Sequence, residues 1–250
     1  MYEILISLIF VAVTFGISKW QKLGIEKELL VGTLRTFGQL TLIGYVLNFI
    51  FAEENPIYTL VIILVMIFVG AMTSSKRGEG FKNVKLVAFG SILLGTFLTL
   101  GVLVLVGALE FSPRIVIPIG GMVIGQGTKS CSLGLDRMKS EFQNRKPILE
   151  AAVALGLRPV QFSEFLIPPA FRASILPMLD SLKIVGLIQL PGAMTGMIIA
   201  GAEPFEAVKF QILIMYLLTG AASFPNFILT FVCGVTYFED NFRKLTRKEV

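Results

Sequence analysis

The sequence predicts an all-α integral membrane protein of about seven transmembrane helices, with one short helix standing outside the bilayer between two of them. Three observations carry that expectation. Of the 250 residues 54% are hydrophobic and only 16% charged, where a soluble domain averages about 45–50% and about 25%. Mean hydropathy is +0.79. The apolar residues also fall in runs of around twenty, the length a helix needs to cross a hydrocarbon core about 30 Å thick.

Taken in order, the candidate spans are 2–18, 29–51, 56–75, 84–109, 113–135, 175–200 and 207–237. The first opens on "MYEILISLIF" and has neither the basic start nor the small-residue cleavage site of a signal peptide, so it reads as a retained helix. The connections fix a direction. Lys19, Lys22 and Lys27 follow the first run, Lys76, Arg77, Lys82 and Lys85 follow the third, and Arg137, Lys139, Arg145, Lys146, Arg158 and Arg172 follow the fifth. Arg243, Lys244, Arg247 and Lys248 crowd the tail, while the alternate connections carry Glu53, Glu54, Glu110, Glu203 and Glu206 against only Arg114 and Lys209. Basic residues stay on the cytoplasmic side, which predicts an outer N-terminus and a cytoplasmic C-terminus.

The net charge of +5 thus follows topology; it is not the solvated basic face that nucleic acid requires. Two cysteines, Cys131 and Cys233, give neither a disulfide framework nor a metal spacing. Histidine is absent, which removes the commonest general base and nitrogen ligand. Zinc-protease and Ser–His chemistries are excluded on that ground. No internal repeat is apparent, and only "LIQLPGAMTGMIIAG" (187–201) has the broken look of a carrier half-helix.

The stretch "ILEAAVALGLRPVQFSEFLIPPAF" (148–171) lies in the longest cytoplasmic connection, 136–174. Pro147 suits a helix start and Gly156 a position just past its end, with good helix formers between. Glu150 faces the positive end of the helix dipole, and Ala151, Ala152 and Leu155 share one small, smooth face suited to a groove. An ordinary interfacial helix would satisfy the same pattern. The remainder, "LRPVQFSEFLIPPAFRASILPMLDSLK", reads as amphipathic and broken by its prolines before the chain returns to the membrane. No phosphate loop is present: "GQGTKS" (125–130) places Lys129 after Thr128 and lies inside an apolar run.

"EAAVALG" followed by "LIPPAF" resembles the EAA loop of ABC-transporter permeases. With "VIPIGGMVIG" (116–125), "DSLKIVGLIQLPGAMTGMI" (180–198) and "AVKFQILIMYLL" (207–218), the whole chain resembles the FetB-like family of iron-export permeases, whose plant relatives are associated with aluminium tolerance. The resemblance implies a single permease domain over 1–250 that exports metal as a homodimer, in a two-plus-two assembly with a separate ATPase subunit. ATP and Mg would belong to that partner, leaving this chain without a cofactor or catalytic residue. Glu150, Ala151, Ala152, Leu155 and Gly156 would dock into the ATPase. A stand-alone channel or secondary carrier is the competing expectation.

The residues expected along the pathway are Met122, Gln126, Gln189, Pro191, Met194 and Met197, on spans five and six. Thioether sulfur is a soft ligand, better suited to Cu(I) than to hard Fe(III) or Al(III), though methionine also fills irregular cores. Thr128, Ser130 and Thr195 add oxygens. Pro191 is expected to kink span six and free a carbonyl near Leu187. Gly121–Gly125 and Gly192–Gly196 have the spacing for close helix approach, within one chain or between copies. Arg35 with Gln39 one turn deeper, and the i, i+3 pair Asp180–Lys183, are read as a snorkelling cation and a structural pair.

Overall fold

The computed structural model describes residues 2–53, 55–148, 151, 155–156 and 159–246. Among them the regular structure is helical; the nearest approach to a strand is an isolated bridge between Val185 and Gln189. Two compact units divide the chain, residues 1–55 and 56–250.

The first unit is a hairpin of α1 (Tyr2–Gln21) and α2 (Glu26–Glu53). Its turn needs left-handed backbone twice, at Lys22 (φ 54°) and Gly24 (φ 73°). The Leu23 amide reaches back to the Ser18 carbonyl at 3.0 Å, closing the end of α1. The buried Ser18 hydroxyl donates to Glu26 Oε1 at 2.7 Å, which ties the start of α2 to the end of α1.

The second unit begins with α3 (Pro56–Ser75), which passes through a short 3₁₀ turn (Lys76–Gly78) into α4 (Val84–Thr96). A π-helical turn, Phe97–Gly101, carries α4 into the short α5 (Val102–Leu105). Gly101 fits there because a side chain would meet the Phe97 ring at 2.9 Å. Then come α6 (Pro113–Asn144), α7 (Pro159–Ile184), α8 (Gly192–Ile199) and α9 (Pro204–Thr246). At 1.5 Å per residue the 43 residues of α9 extend roughly 64 Å, about twice a hydrocarbon core, so this helix runs beyond any bilayer it crosses.

Among the described residues four helices are long and apolar enough to cross a membrane: Glu26–Asn48, Pro56–Gly78, Val84–Leu105 and Pro204–Phe238. Ile6–Gln21 is a shorter apolar helix. The expected span 175–200 is not one helix: α7 stops at Ile184, the chain turns through residues 185–191, and α8 restarts at Gly192. Conversely, the prolines expected to break the preceding segment do not, since Pro168, Pro169 and Pro177 all lie inside α7. Neighbouring helices can absorb the backbone groups that such prolines release.

Between apolar helices in lipid the hydrophobic drive is weak, and close backbone approach supplies the packing. The second unit achieves it with glycines at seven-residue intervals on α6: Gly120 backs onto Ile63 of α3, Gly127 onto α9, and Gly134 onto Asn226 of α9. The core around them joins Ile67 and Ala71 (α3), Ala88 and Ile92 (α4), Cys131 and Leu135 (α6), and Leu229 and Cys233 (α9). Both thiols are free and fully buried. At one end Phe81, Phe142 and Tyr237 form an aromatic cluster, the Phe142 and Tyr237 rings 4.2 Å apart.

Pro225 is the hub of this packing. It lacks the N–H that would hold the Ala221 carbonyl. Gly127 comes so close to that carbonyl that a Cβ would lie 3.1 Å from its oxygen, and a Cβ on Gly95 would lie 2.6 Å from the proline ring. A side chain at Gly95 would push α4 off α9, and one at Gly127 would need its neighbours on α9 to give by a few tenths of an ångström.

Candidate functional site

α6, α7 and α9, with the 185–191 turn, border a half-open cavity of about 190 Å³. Helical spacing presents its wall: Met122 and Gln126 one turn apart on α6, Met178 and Ser181 on α7, and Gln211 and Met215 one turn apart on α9. Gln189 and Pro191 close it from the turn. A second space of about 460 Å³ shares Val185, Gln211 and Met215 with the first and adds Met194 of α8.

Four of the six expected pathway residues therefore border one cavity (Met122, Gln126, Gln189 and Pro191), and Met194 borders its neighbour. Met197 borders neither and is half-buried on α8. Thr195 borders neither space, and its hydroxyl donates to the Pro191 carbonyl at 2.7 Å. Ser130 is buried elsewhere on α6, and Thr128 lies against Gly70 of α3.

Pro191 acts differently from expectation. Its backbone is extended (φ −64°, ψ 148°), directly before α8, and its carbonyl accepts the Thr195 amide at 3.0 Å. It starts a helix and kinks none, so it releases no carbonyl near Leu187. The turn before it satisfies its own backbone: the Gly186 amide donates to the Gln189 carbonyl at 2.9 Å and the Ile188 amide to that of Ile184 at 3.0 Å.

The glycine pairs are expected to pack either within one chain or between copies, and only the first is ruled out. A Cβ at Gly121, Gly125, Gly192 or Gly196 would meet nothing within 4 Å, so within the chain these positions carry no close approach. Gly70, Gly95, Gly120, Gly127 and Gly134 carry it instead.

The sequence reading missed Met178, Ser181, Gln211 and Met215. Gln211 had a signal, being a lone amide in the apolar run "FQILIMYLL", and polar residues inside spans are costly unless used. It is only 5% exposed, and its Oε1 has no hydrogen-bond partner among the described residues. A buried amide oxygen without a protein partner, at the wall of two cavities, can accept from a donor or ligate a cation. Among the described residues, no Asp, Glu, Lys or Arg side chain lines either space; the second is also bordered by the Tyr216 phenol. Nor do the described residues hold any cluster of three or more His, Cys, Asp and Glu side chains able to take a metal ion.

Outside the cavity, Asp180 and Lys183 form the expected pair at 3.0 Å, both well exposed. Arg35 and Gln39 are exposed on α2. Of the segment expected to dock a partner, Glu150 and Ala152 lie outside the described residues. Ala151 is helical, and the Leu155 amide donates to its carbonyl at 3.0 Å. Gly156 follows with φ 74°, the left-handed stop expected of it. The Leu155 side chain is 80% exposed.

Residues 1–238 match the family model described as "Uncharacterised protein family (UPF0014)". Protein ALUMINUM SENSITIVE 3 of Arabidopsis thaliana is 38% identical over 232 residues, 93% of this chain and 85% of its own. The UPF0014 membrane protein YjkA of Bacillus subtilis is 37% identical over 225 residues, 90% of each chain. The protein named "Probable iron export permease protein FetB" of Escherichia coli is 35% identical over 232 residues, 93% of this chain and 88% of its own. No solved structure matches the chain. The chain belongs to the UPF0014 family of membrane proteins.

Proposed function

We propose that this chain is the membrane-spanning permease subunit of an ATP-driven exporter, moving iron or a related metal, free or chelated, with ATP hydrolysed by a separate subunit. The observation that carries the reading is the 35% identity, over 93% of the chain, to a relative named as an iron export permease. In this reading seven spans leave the N-terminus outside and the C-terminus in the cytoplasm of a cell-membrane protein. Two copies assemble with two ATPase subunits, and the chain has no catalytic residue of its own.

Two features support a lever at 148–156. Leu155 holds an apolar side chain in the open beside a helix stop, and an exposed apolar side chain gains by burial in a partner groove. The connection also leads straight into α7, whose far end walls the cavity with Met178 and Ser181. Closure of the ATPase would displace the base of α7 and shift the cavity between inward and outward access, a population shift driven by differential binding.

The test is reconstitution of the chain with its ATPase in metal-loaded vesicles. Efflux should require nucleotide, and Glu150→Lys or Gly156→Trp should abolish coupled efflux while leaving the permease folded. Efflux of equal rate without ATPase or nucleotide would instead identify a stand-alone channel or carrier.

A further inference from the structure

The joined cavities have a wall chemistry unlike that of a site for hard, highly charged iron. Met122, Met178 and Met215 border the first space, and Met194 borders the second. Between the two stands Gln211, with its unpaired Oε1. Every polar group on the wall is neutral. An ion ligated there gives up part of its water shell without gaining a counter-charge, and that cost climbs steeply with ionic charge. A trivalent or divalent ion is disfavoured on this ground, and a univalent ion least so. Thioether sulfur and amide oxygen are both neutral ligands, and sulfur selects soft metals.

Met122, Met178 and Met215 also pack against the core, Met122 beside the cluster that holds Val123 and Ile214. Met178 and Met215 are only 3% and 8% exposed and belong to a small cluster with Ala222, yet the space beside them stays open at about 190 Å³. Methionine used as filler closes gaps. Here three of these side chains border one that they do not fill.

We infer that this cavity is a binding site for a soft, univalent metal ion of the Cu(I) class, held by the thioethers of Met122, Met178 and Met215 with Gln211 Oε1 as the oxygen ligand. A set of neutral ligands with no thiolate binds firmly enough to select and weakly enough to release, which transport requires. As a statement about cargo the inference rests on the permease reading; as a statement about binding it does not.

The experiment uses the full chain in detergent under reducing conditions, with Cu(I) titrated against a chromophoric Cu(I) chelator and Ag(I) as a redox-inert second probe. Cys131 and Cys233 are also soft ligands, so binding is measured in the Cys131→Ala/Cys233→Ala protein. Cu(I) uptake should persist there, and X-ray absorption should show sulfur neighbours. Adding Met122→Leu, Met178→Leu and Met215→Leu, changes that nearly conserve volume, should weaken binding more than about tenfold, the scale at which even supporting groups act. Gln211→Leu alone should weaken it less, and serves with Met122→Leu alone should the triple change prevent folding.

Loss of Cu(I) uptake with the cysteines, or uptake unchanged in the methionine variants, overturns the inference. So does a preference for Fe(II) over Cu(I) in direct competition. ATP-driven iron efflux from vesicles alongside failed Cu(I) binding would sink this inference and leave the permease reading standing. Firm Cu(I) binding without any ATP-driven efflux would do the reverse.

Discussion

Asn226 donates from Nδ2 to the Ser174 hydroxyl oxygen at 2.6 Å, joining α9 to α7 across 52 residues of sequence. The Ser174 hydroxyl in turn donates to the Phe171 carbonyl at 2.8 Å, so the two bonds run in one direction. The other side of the same amide, Asn226 Oδ1, occupies the place a Cβ on Gly134 would take. Three helices therefore meet at one buried amide, immediately after Pro225 in α9.

Gly134→Ala should be among the most harmful small substitutions in the chain. The added methyl collides with Asn226 Oδ1 and turns the amide away from Ser174. Overpacking of this kind costs about 1–3 kcal/mol, read as a lowered midpoint of thermal unfolding in detergent. Ser174→Ala and Asn226→Ala in a double-mutant cycle should show a coupling of about 0.6 kcal/mol, typical of hydrogen bonds inside membranes. Additive effects would mean that the bond contributes nothing.

Two glycines five residues apart on α4 should behave oppositely. A methyl at Gly95 lies 2.6 Å from the Pro225 ring, whereas one at Gly90 meets nothing within 4 Å. Gly95→Ala should destabilise, and Gly90→Ala should be neutral or stabilising by up to about 1 kcal/mol through helix propensity. Paired unfolding curves decide it.

Gly121→Ala and Gly125→Ala test whether the open glycine face of α6 meets a second copy. The isolated fold should not change, since nothing lies within 4 Å of either position. Oligomeric state by mass photometry should shift toward single chains if these glycines sit between copies, and stay the same if they face lipid.

The aromatic cluster gives a graded prediction. Phe142 is 4% exposed, and its ring centroid lies 4.2 Å from that of Tyr237 with the planes tilted by 44°. Phe142→Ala should cost about 3–5 kcal/mol, and Phe142→Leu much less, keeping the volume and losing the ring contacts of about 0.5–1.5 kcal/mol each.

By contrast, Asp180→Asn should change stability by no more than about 1 kcal/mol, because both members of the Asp180–Lys183 pair are more than half exposed. If coupled transport falls while the unfolding midpoint holds, the pair transmits motion from the docking segment and does not merely brace α7.

Some of this molecule was written in its composition and periodicity. Apolar runs of membrane length, turn glycines such as Gly156, and the pairing of Asp180 with Lys183 are local properties, decided by residues within one or two turns of each other. The cavity wall was half legible for the same reason: Met122, Gln126 and Gln189 stood out as polar or soft residues in apolar runs. The tertiary structure alone decided which glycines are close contacts. Gly121–Gly125 carries the familiar spacing and touches nothing within the chain, while Gly127 and Gly134 are pressed against Pro225 and Asn226 almost a hundred residues away. It also decided that Pro168 and Pro169 stay within a helix while Pro191 begins one. The physical reason is common to all these cases. Spacing along one helix tells which residues share a face, but what stands opposite that face depends on how separate helices pack, and no local pattern encodes it.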